Sequence, residues 1–363
     1  ELEFLPTDDQ LNERINRNQC VWTRPELAVL VCYSKVILKE ALLHADLLSE
    51  PWLAKSIENA FPAELTERYG EAVAEHQLGP EIVATQLAND IVDRMGFSFF
   101  FRQLESTGVS AGEVIRAYTI AINILGVDAL WLEIEANADL AAEVQLDLLH
   151  MLIRLVRRTT RWFLRNRRLS LYCGPIIEQF ADPMLAVFEQ ISKRSQPEWV
   201  ELWGAEKQAL IAQQVKPILA ARLAASDSIF LSLGIVDTAV MQQKPIEQTA
   251  QLYFILGEYL SLDWFMSQIV ALQPKNRWQD LARESYVDDL ESQRRRLTSS
   301  LLSGDVEAVQ PLLEDWQVLQ QPLINRWQTM VRDLRRGGAP DFAMISVALR
   351  ELLYLVQASV DNT

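Results

Sequence analysis

Glycine and proline are scarce. With 13 glycines and 14 prolines in 363 residues, these two types make up about 7% of the chain, against roughly 12% in average usage. Few residues are left to interrupt regular structure, so long helices with short connections follow. Cysteine is scarcer still. Cys20, Cys32 and Cys173 show no CxxC spacing, which argues against a disulfide framework and reads as free thiols in a reducing, cytoplasmic compartment. Histidine is limited to His44, His76 and His150. Each stands alone without a carboxylate or cysteine at ligand spacing, so surface or boundary positions are expected rather than a metal site.

Long apolar runs are missing too. The richest stretch, 28–38, already contains Lys35 and falls short of the roughly 18 residues a membrane span needs. Positive charge is in deficit: 34 Lys and Arg against 49 Asp and Glu leave a formal charge of −15. Such a field repels phosphate backbones and disfavours nucleic acid as a partner. No two glycines stand two apart and no GxxxxGK[ST] occurs, so no dinucleotide or nucleotide loop is expected here. No local nucleophile–histidine–acid arrangement occurs either. Catalytic, cofactor-binding and metal residues are therefore all expected to be none within this chain. It opens on Glu1, without a methionine or signal peptide, and residues 1–6 read as the tail of a helix. A longer protein cut at this point is the expectation.

What is present is helical punctuation. Thr23-Arg-Pro-Glu26, Ser110-Ala-Gly-Glu113 and Ser195-Gln-Pro-Glu198 are capping boxes, in which hydroxyl and carboxylate satisfy each other's backbone amides. After the first, Leu27, Leu30, Val31, Ser34, Ile37, Leu38 and Ala41 form one stripe. Gly96 and Gly126 stand at helix stops. The spacing predicts helices at about 25–44, 51–60, 62–76, 80–95, 97–107, 111–125, 127–136, 140–168, 175–180, 183–194, 197–225, 227–241, 246–260, 262–272, 276–302, 305–336 and 341–357. No segment alternates apolar and polar residues like a strand. The fold class is all-α.

An internal repeat is suggested. At an offset of 135, residues 111–137 superpose on 246–272, matching Tyr118 with Tyr253, Leu125 with Leu260, Asp128 with Asp263 and Ile134 with Ile269. Flanking likenesses (Ala84–Leu87 with Ala220–Leu223, Gln145–Leu148 with Trp278–Leu281) need small indels. The alternative is chance similarity of two amphipathic helix pairs. The expected architecture is a multi-helix array with a duplicated unit of a little over 100 residues, spanning about 80–168 and 212–302. Both tyrosines are expected in the core, hydroxyls satisfied at its edge. Three parts follow: a helical linker at 1–79, a first unit at 80–210, and a second unit with terminal helices at 211–363.

The most distinctive polar feature is an arginine-rich helix. Arg154, Arg158, Arg161 and Arg165 fall on one face, with Arg157, Arg167 and Arg168 nearby and Leu148, Leu152, Leu155, Val156, Trp162 and Phe163 opposite. The simplest reading is a solvated face paired with acidic neighbours. The functional alternative is a docking face for an acidic patch on another domain or subunit, since arginine suits bidentate pairing. Arg294 to Arg296 hold roughly the corresponding place in the second unit and favour a structural role. Trp264, Trp278, Trp316 and Trp327 read as core anchors.

Several stretches resemble, in order, the large bacterial NAD-dependent glutamate dehydrogenases. They are Thr23-Arg-Pro-Glu-Leu-Ala28 with Tyr33-Ser-Lys35, Ala84-Thr-Gln-Leu-Ala-Asn89 with Arg94-Met-Gly96, Thr160-Arg-Trp162, Leu262-Asp-Trp264, and Asp341 through Glu351. Asp93 stands where the family pattern suggests asparagine. The resemblance implies a C-terminal helical region lying beyond the catalytic domains. Their chemistry, glutamate and NAD to 2-oxoglutarate, ammonia and NADH, then belongs upstream. It further implies NAD bound only in the full-length parent, the upstream catalytic domain as partner, and a homo-oligomer. A free-standing helical scaffold or effector-binding module is the alternative.

Overall fold

The computed structural model describes residues 5–17, 21–45, 47, 50–168, 171–192, 197–303 and 309–361. Among them the chain is all-α, without strands. The helices are α1 (Asp8–Asn16), α2 (Arg24–His44), α3 (Pro51–Ala54) with a following 3-10 helix (Lys55–Ala60), α4 (Ala63–Ala74), α5 (Gly79–Met95), α6 (Phe99–Thr107), α7 (Ala111–Leu125), α8 (Val127–Glu135) and α9 (Ala142–Asn166). They continue with α10 (Cys173–Ser192), α11 (Pro197–Ala212), α12 (Pro217–Ala224), α13 (Ser226–Gln242), α14 (Ile246–Tyr259), α15 (Leu262–Ala271), α16 (Arg277–Leu301), α17 (Val309–Arg336) and α18 (Phe342–Asp361). Two compact units result, Glu1–Glu178 and Gln179–Thr363.

Local chemistry explains most boundaries. The Thr23 and Ser110 boxes cap α2 and α7 reciprocally, and Gly96 and Gly126 end α5 and α7 with positive φ. Cys20 and the Ser195 cap lie outside the described residues. Three boundaries differ from the sequence reading. Helix α1 was not expected, although Thr7 and Gln10 form a third reciprocal box. The two helices expected across 175–194 are one, α10, with Pro183 inside. Its buried stripe of Ile176, Phe180, Met184, Val187 and Ile191 outweighs the one missing backbone bond. The single helix expected across 197–225 is broken before Pro217, where Gln214 turns left-handed (φ 69°).

In the first unit α7 is the axis. Val114, Ile115, Ala117, Tyr118, Ile120, Ala121, Ile124 and Leu125 are buried around its whole circumference, as expected for a helix surrounded by others. Helices α2, α6, α8 and α9 pack on it. In the second unit Trp327 meets Phe265 edge to face at 5.4 Å and donates its indole proton to the Leu260 carbonyl. Trp316 donates to the Ser359 hydroxyl. Trp278, expected as a core anchor, is 78% exposed, because the first turn of α16 leaves it on the solvent side. Ile37 is likewise exposed, while Ser34, Leu38 and Leu42 form the buried edge of α2. Helix α18 is long and apolar enough to cross a membrane by length and composition. Its apolar edge (Ile345, Leu349, Leu352, Val356) is buried where it packs on α16 and α17.

The pairs α7–α8 and α14–α15 share several features at a common offset. Both pairs begin at positions 135 apart, 111 with 246 and 127 with 262. Each is broken by one left-handed residue at the matching place, Gly126 (φ 61°, ψ 40°) and Ser261 (φ 54°, ψ 35°). Val114, Tyr118, Ala121, Leu125, Val127, Leu130 and Ile134 are buried, and so are Thr249, Tyr253, Leu256, Leu260, Leu262, Phe265 and Ile269.

Candidate functional site

Each of these two buried tyrosines is the centre of an acid–arginine cluster. In the first, the Tyr118 hydroxyl donates to the Asp90 carboxylate at 2.7 Å. One turn along α5, Arg94 holds the other Asp90 oxygen at 2.9 Å, reaches Asp128 at the start of α8, and lies over the Trp131 ring. Burial raises the Asp90 carboxyl above its ordinary value, against the pull of Arg94 and the Tyr118 hydroxyl. Burial, reinforced by the Asp90 charge, holds the Tyr118 phenol well above its own.

The second unit uses the same residue types. Tyr253 donates to Glu291 at 3.1 Å. Arg294 pairs with Asp263 at 2.7 Å, donates to the Tyr253 carbonyl at 3.0 Å, and is itself 2% exposed. Burial opposes its charge, but Asp263, then Tyr253 and Glu291, outweigh that and hold its pKa above the ordinary value. Burial and the Glu291 charge hold the Tyr253 phenol well up. The arginine comes from a different side in each case. In the first unit it stands on α5, before the tyrosine helix; in the second it stands on α16, after it. Neighbouring Arg295 pairs with Asp237 at 3.0 Å. The sequence reading singled out the tyrosines, matched Asp128 with Asp263 and gave Arg294 a structural role, but it did not single out Asp90 and Glu291, the acceptors of the two hydroxyls. Their signal was an Asp or Glu three or four residues before an arginine, which is common on any helix.

The arginine-rich helix is α9. Its expected apolar side, Leu148, Leu152, Leu155, Val156, Trp162 and Phe163, is buried. Arg154 and Arg165 are exposed, while Arg158 and Arg161 are half-buried. Arg157, Arg158 and Arg161 each have an interaction partner. Arg165 donates to the Ser106 carbonyl and Arg168 to the Gly108 carbonyl, so the end of α9 satisfies acceptors at the C-terminus of α6. Part of this arginine set is therefore spent on packing.

The histidines are not brought together. His44 contacts the Glu40 carbonyl, His76 accepts from the Leu78 amide, and His150 is exposed on α9. Burial pushes the Cys173 thiol up to about 12, which leaves it unreactive. Among the described residues no three His, Cys, Asp or Glu side chains are grouped to hold a metal. The geometry of these clusters can fix helices relative to one another.

The chain matches the family described as glutamate dehydrogenase, C-terminal, over residues 20–354. It belongs to that family. It is 39% identical to the NAD-specific glutamate dehydrogenase of Pseudomonas aeruginosa over 362 residues and 36% identical to that of Halomonas elongata. Identity to the Mycobacterium tuberculosis NAD-specific glutamate dehydrogenase is 30%. Each match covers 99% of this chain, which spans 22% of the length of these relatives. Several residues of the stretches that first suggested the family make internal contacts. Lys35 pairs with Asp93 at 2.7 Å, tying α2 to α5. Arg94 and Asp263 anchor the two tyrosine clusters, and Thr160 and Trp162 are buried on α9.

Proposed function

We propose that this chain is a non-catalytic C-terminal helical module of an NAD-dependent glutamate dehydrogenase. In that enzyme the preceding domains bind NAD and convert L-glutamate and water to 2-oxoglutarate, ammonia and NADH. The module supports folding, docking on the catalytic domain, or assembly of a homo-oligomer. The observation that carries the reading is the collinear match to 22% of the length of relatives named NAD-specific glutamate dehydrogenase. It is supported by the internal clusters around Tyr118 and Tyr253, in which Asp90, Arg94, Glu291 and Arg294 are paired with neighbouring helices. Removing the module from the full-length enzyme is expected to impair folding, assembly or turnover; an unchanged enzyme would overturn the proposal.

Within this reading the α9 face of Arg154, Arg158, Arg161 and Arg165 is a docking surface for an acidic patch on the catalytic domain or a neighbouring subunit. Charge reversal at Arg158 and Arg161 in the full-length protein tests it. Weakened association with helicity intact is expected, whereas unchanged association assigns the face to internal ion pairs. We also infer that α7–α8 and α14–α15 derive from one duplicated unit. The matching left-handed break and the matched buried positions support this. A duplicated unit fits a structural module, because the copied part is packing rather than a site.

A further inference from the structure

We propose that the outward face of α2 is where this region docks against the polypeptide preceding it in the longer enzyme. The inference rests on the reading above, that the chain works as one part of such a protein. Helix α2 is apolar on two opposite sides. One side buries Ser34, Leu38 and Leu42 and packs on α5 and α7. The other carries Cys32, Tyr33, Val36, Ile37 and Leu43 at successive helical turns. Tyr33, Val36, Ile37 and Leu43 are 45%, 52%, 45% and 39% exposed. Along this stripe Glu40, and Lys39 at its margin, are the charged side chains. A second apolar stripe opposite a buried one is more than a surface helix needs to pack on its own core, and it is the kind of face a partner covers.

The occupant follows from chain length and from the entry point. The chain matches a family described as the C-terminal part of glutamate dehydrogenase and spans 22% of its relatives' length, so in such a protein the larger part precedes this region. Helix α1 is fastened to the first turn of α2. The Arg14 guanidinium donates to both Glu26 oxygens at 2.9 Å and to the Val21 carbonyl at 2.9 Å. The last turn of α1 is thereby held at the start of α2. Covalent connection supplies a high effective concentration, so a modest apolar surface suffices for stable docking. The partner is an apolar surface of the same polypeptide, with little charge opposite Val36 and Ile37.

Cys32 lies on this face and reports on it directly. The full-length enzyme is treated with a maleimide, and the label on Cys32 is followed by fragment-ion mass spectrometry. Labelling at least about tenfold slower than in the denatured protein is expected. The Val36→Glu, Ile37→Glu double variant, checked for native helicity, should restore fast labelling, whereas Val318→Lys on the exposed side of α17 should not. Fast labelling of the native enzyme, or protection that survives the double variant, overturns the proposal. Protection lost when the assembly is diluted to single protomers assigns the face to a second copy and also overturns it. If Cys32 labels fast while removal of the whole region still abolishes activity, the docking surface falls and the functional reading stands.

Discussion

The guanidinium of Arg294 lies over the ring of Tyr253, its Cζ 4.3 Å from the ring centroid, and donates a hydrogen bond to that same residue's carbonyl. One cation thus holds α14 through ring and backbone together and α15 through Asp263. Its counterpart Arg94 does related work from α5, but Asp128, one of its carboxylates, is 71% exposed. Solvent screening makes that pair the weaker one. Arg294→Ala empties a buried site and removes the cation that faces the buried Glu291 carboxylate, and is expected to cost about 3–5 kcal/mol. Arg94→Ala is expected to cost roughly 1–2 kcal/mol. Urea denaturation of both variants checks the order; equal losses would show that burial of the arginine does not set the scale.

Gly257 is what lets the arginine in. A Cβ at this position would collide with the Arg294 guanidinium, whose approach to α14 leaves no room for a side chain. Gly257→Ala is expected to destabilise by about 2–3 kcal/mol despite alanine's better helix propensity. In an Arg294→Ala background most of that loss should vanish, since the two changes share one contact. A thermal-denaturation double-mutant cycle measures the coupling.

Ser261 and Gly126 occupy the same left-handed turn with different side chains. Ser261→Gly removes the Cβ strain and is expected to stabilise by about 0.5–1 kcal/mol, while Gly126→Ala introduces it and should cost about 1 kcal/mol. Opposite shifts in melting temperature are the expected result.

Glu26 gives a pH signature. Its hydrogen bonds from Arg14 and then from the Thr23 amide lower its carboxyl from 4.5 to about 2. A depressed carboxyl binds fewer protons folded than unfolded, so its contribution is complete above 4.5 and is lost as pH falls toward about 2. Glu26→Gln keeps the capping geometry but not the charge. The gap in urea midpoint between native chain and variant should be constant near neutrality and close across that acid window.

How much of this was legible in the sequence depended on the range of the interaction. Caps and stops act over three or four residues, so α2, α7 and the Gly126 break could be read directly. Helix α1 carries the same signal in Thr7 and Gln10, but its segment is short and polar and offers no apolar stripe to support it. Pro183 is a local helix breaker, and the buried stripe that offsets it is set by tertiary packing. Long-range choices left no local mark. The stripe pattern assigned Ile37 to the buried side of α2, but packing against α5 selected the edge running through Ser34, Leu38 and Leu42. The carboxylates that accept from Tyr118 and Tyr253 stand 28 and 38 residues away in sequence. The spacing of α9 located the four arginines on one face but not which carbonyls some of them would bind.

The central claim is that this region serves a glutamate dehydrogenase without performing its chemistry. NAD-dependent glutamate oxidation, measured on the full-length enzyme, on the same enzyme lacking this region, and on the region alone, tests it most directly. Turnover by the complete chain, its loss or sharp reduction on deletion, and none from the isolated region is the predicted result. Turnover by the isolated region would contradict the account.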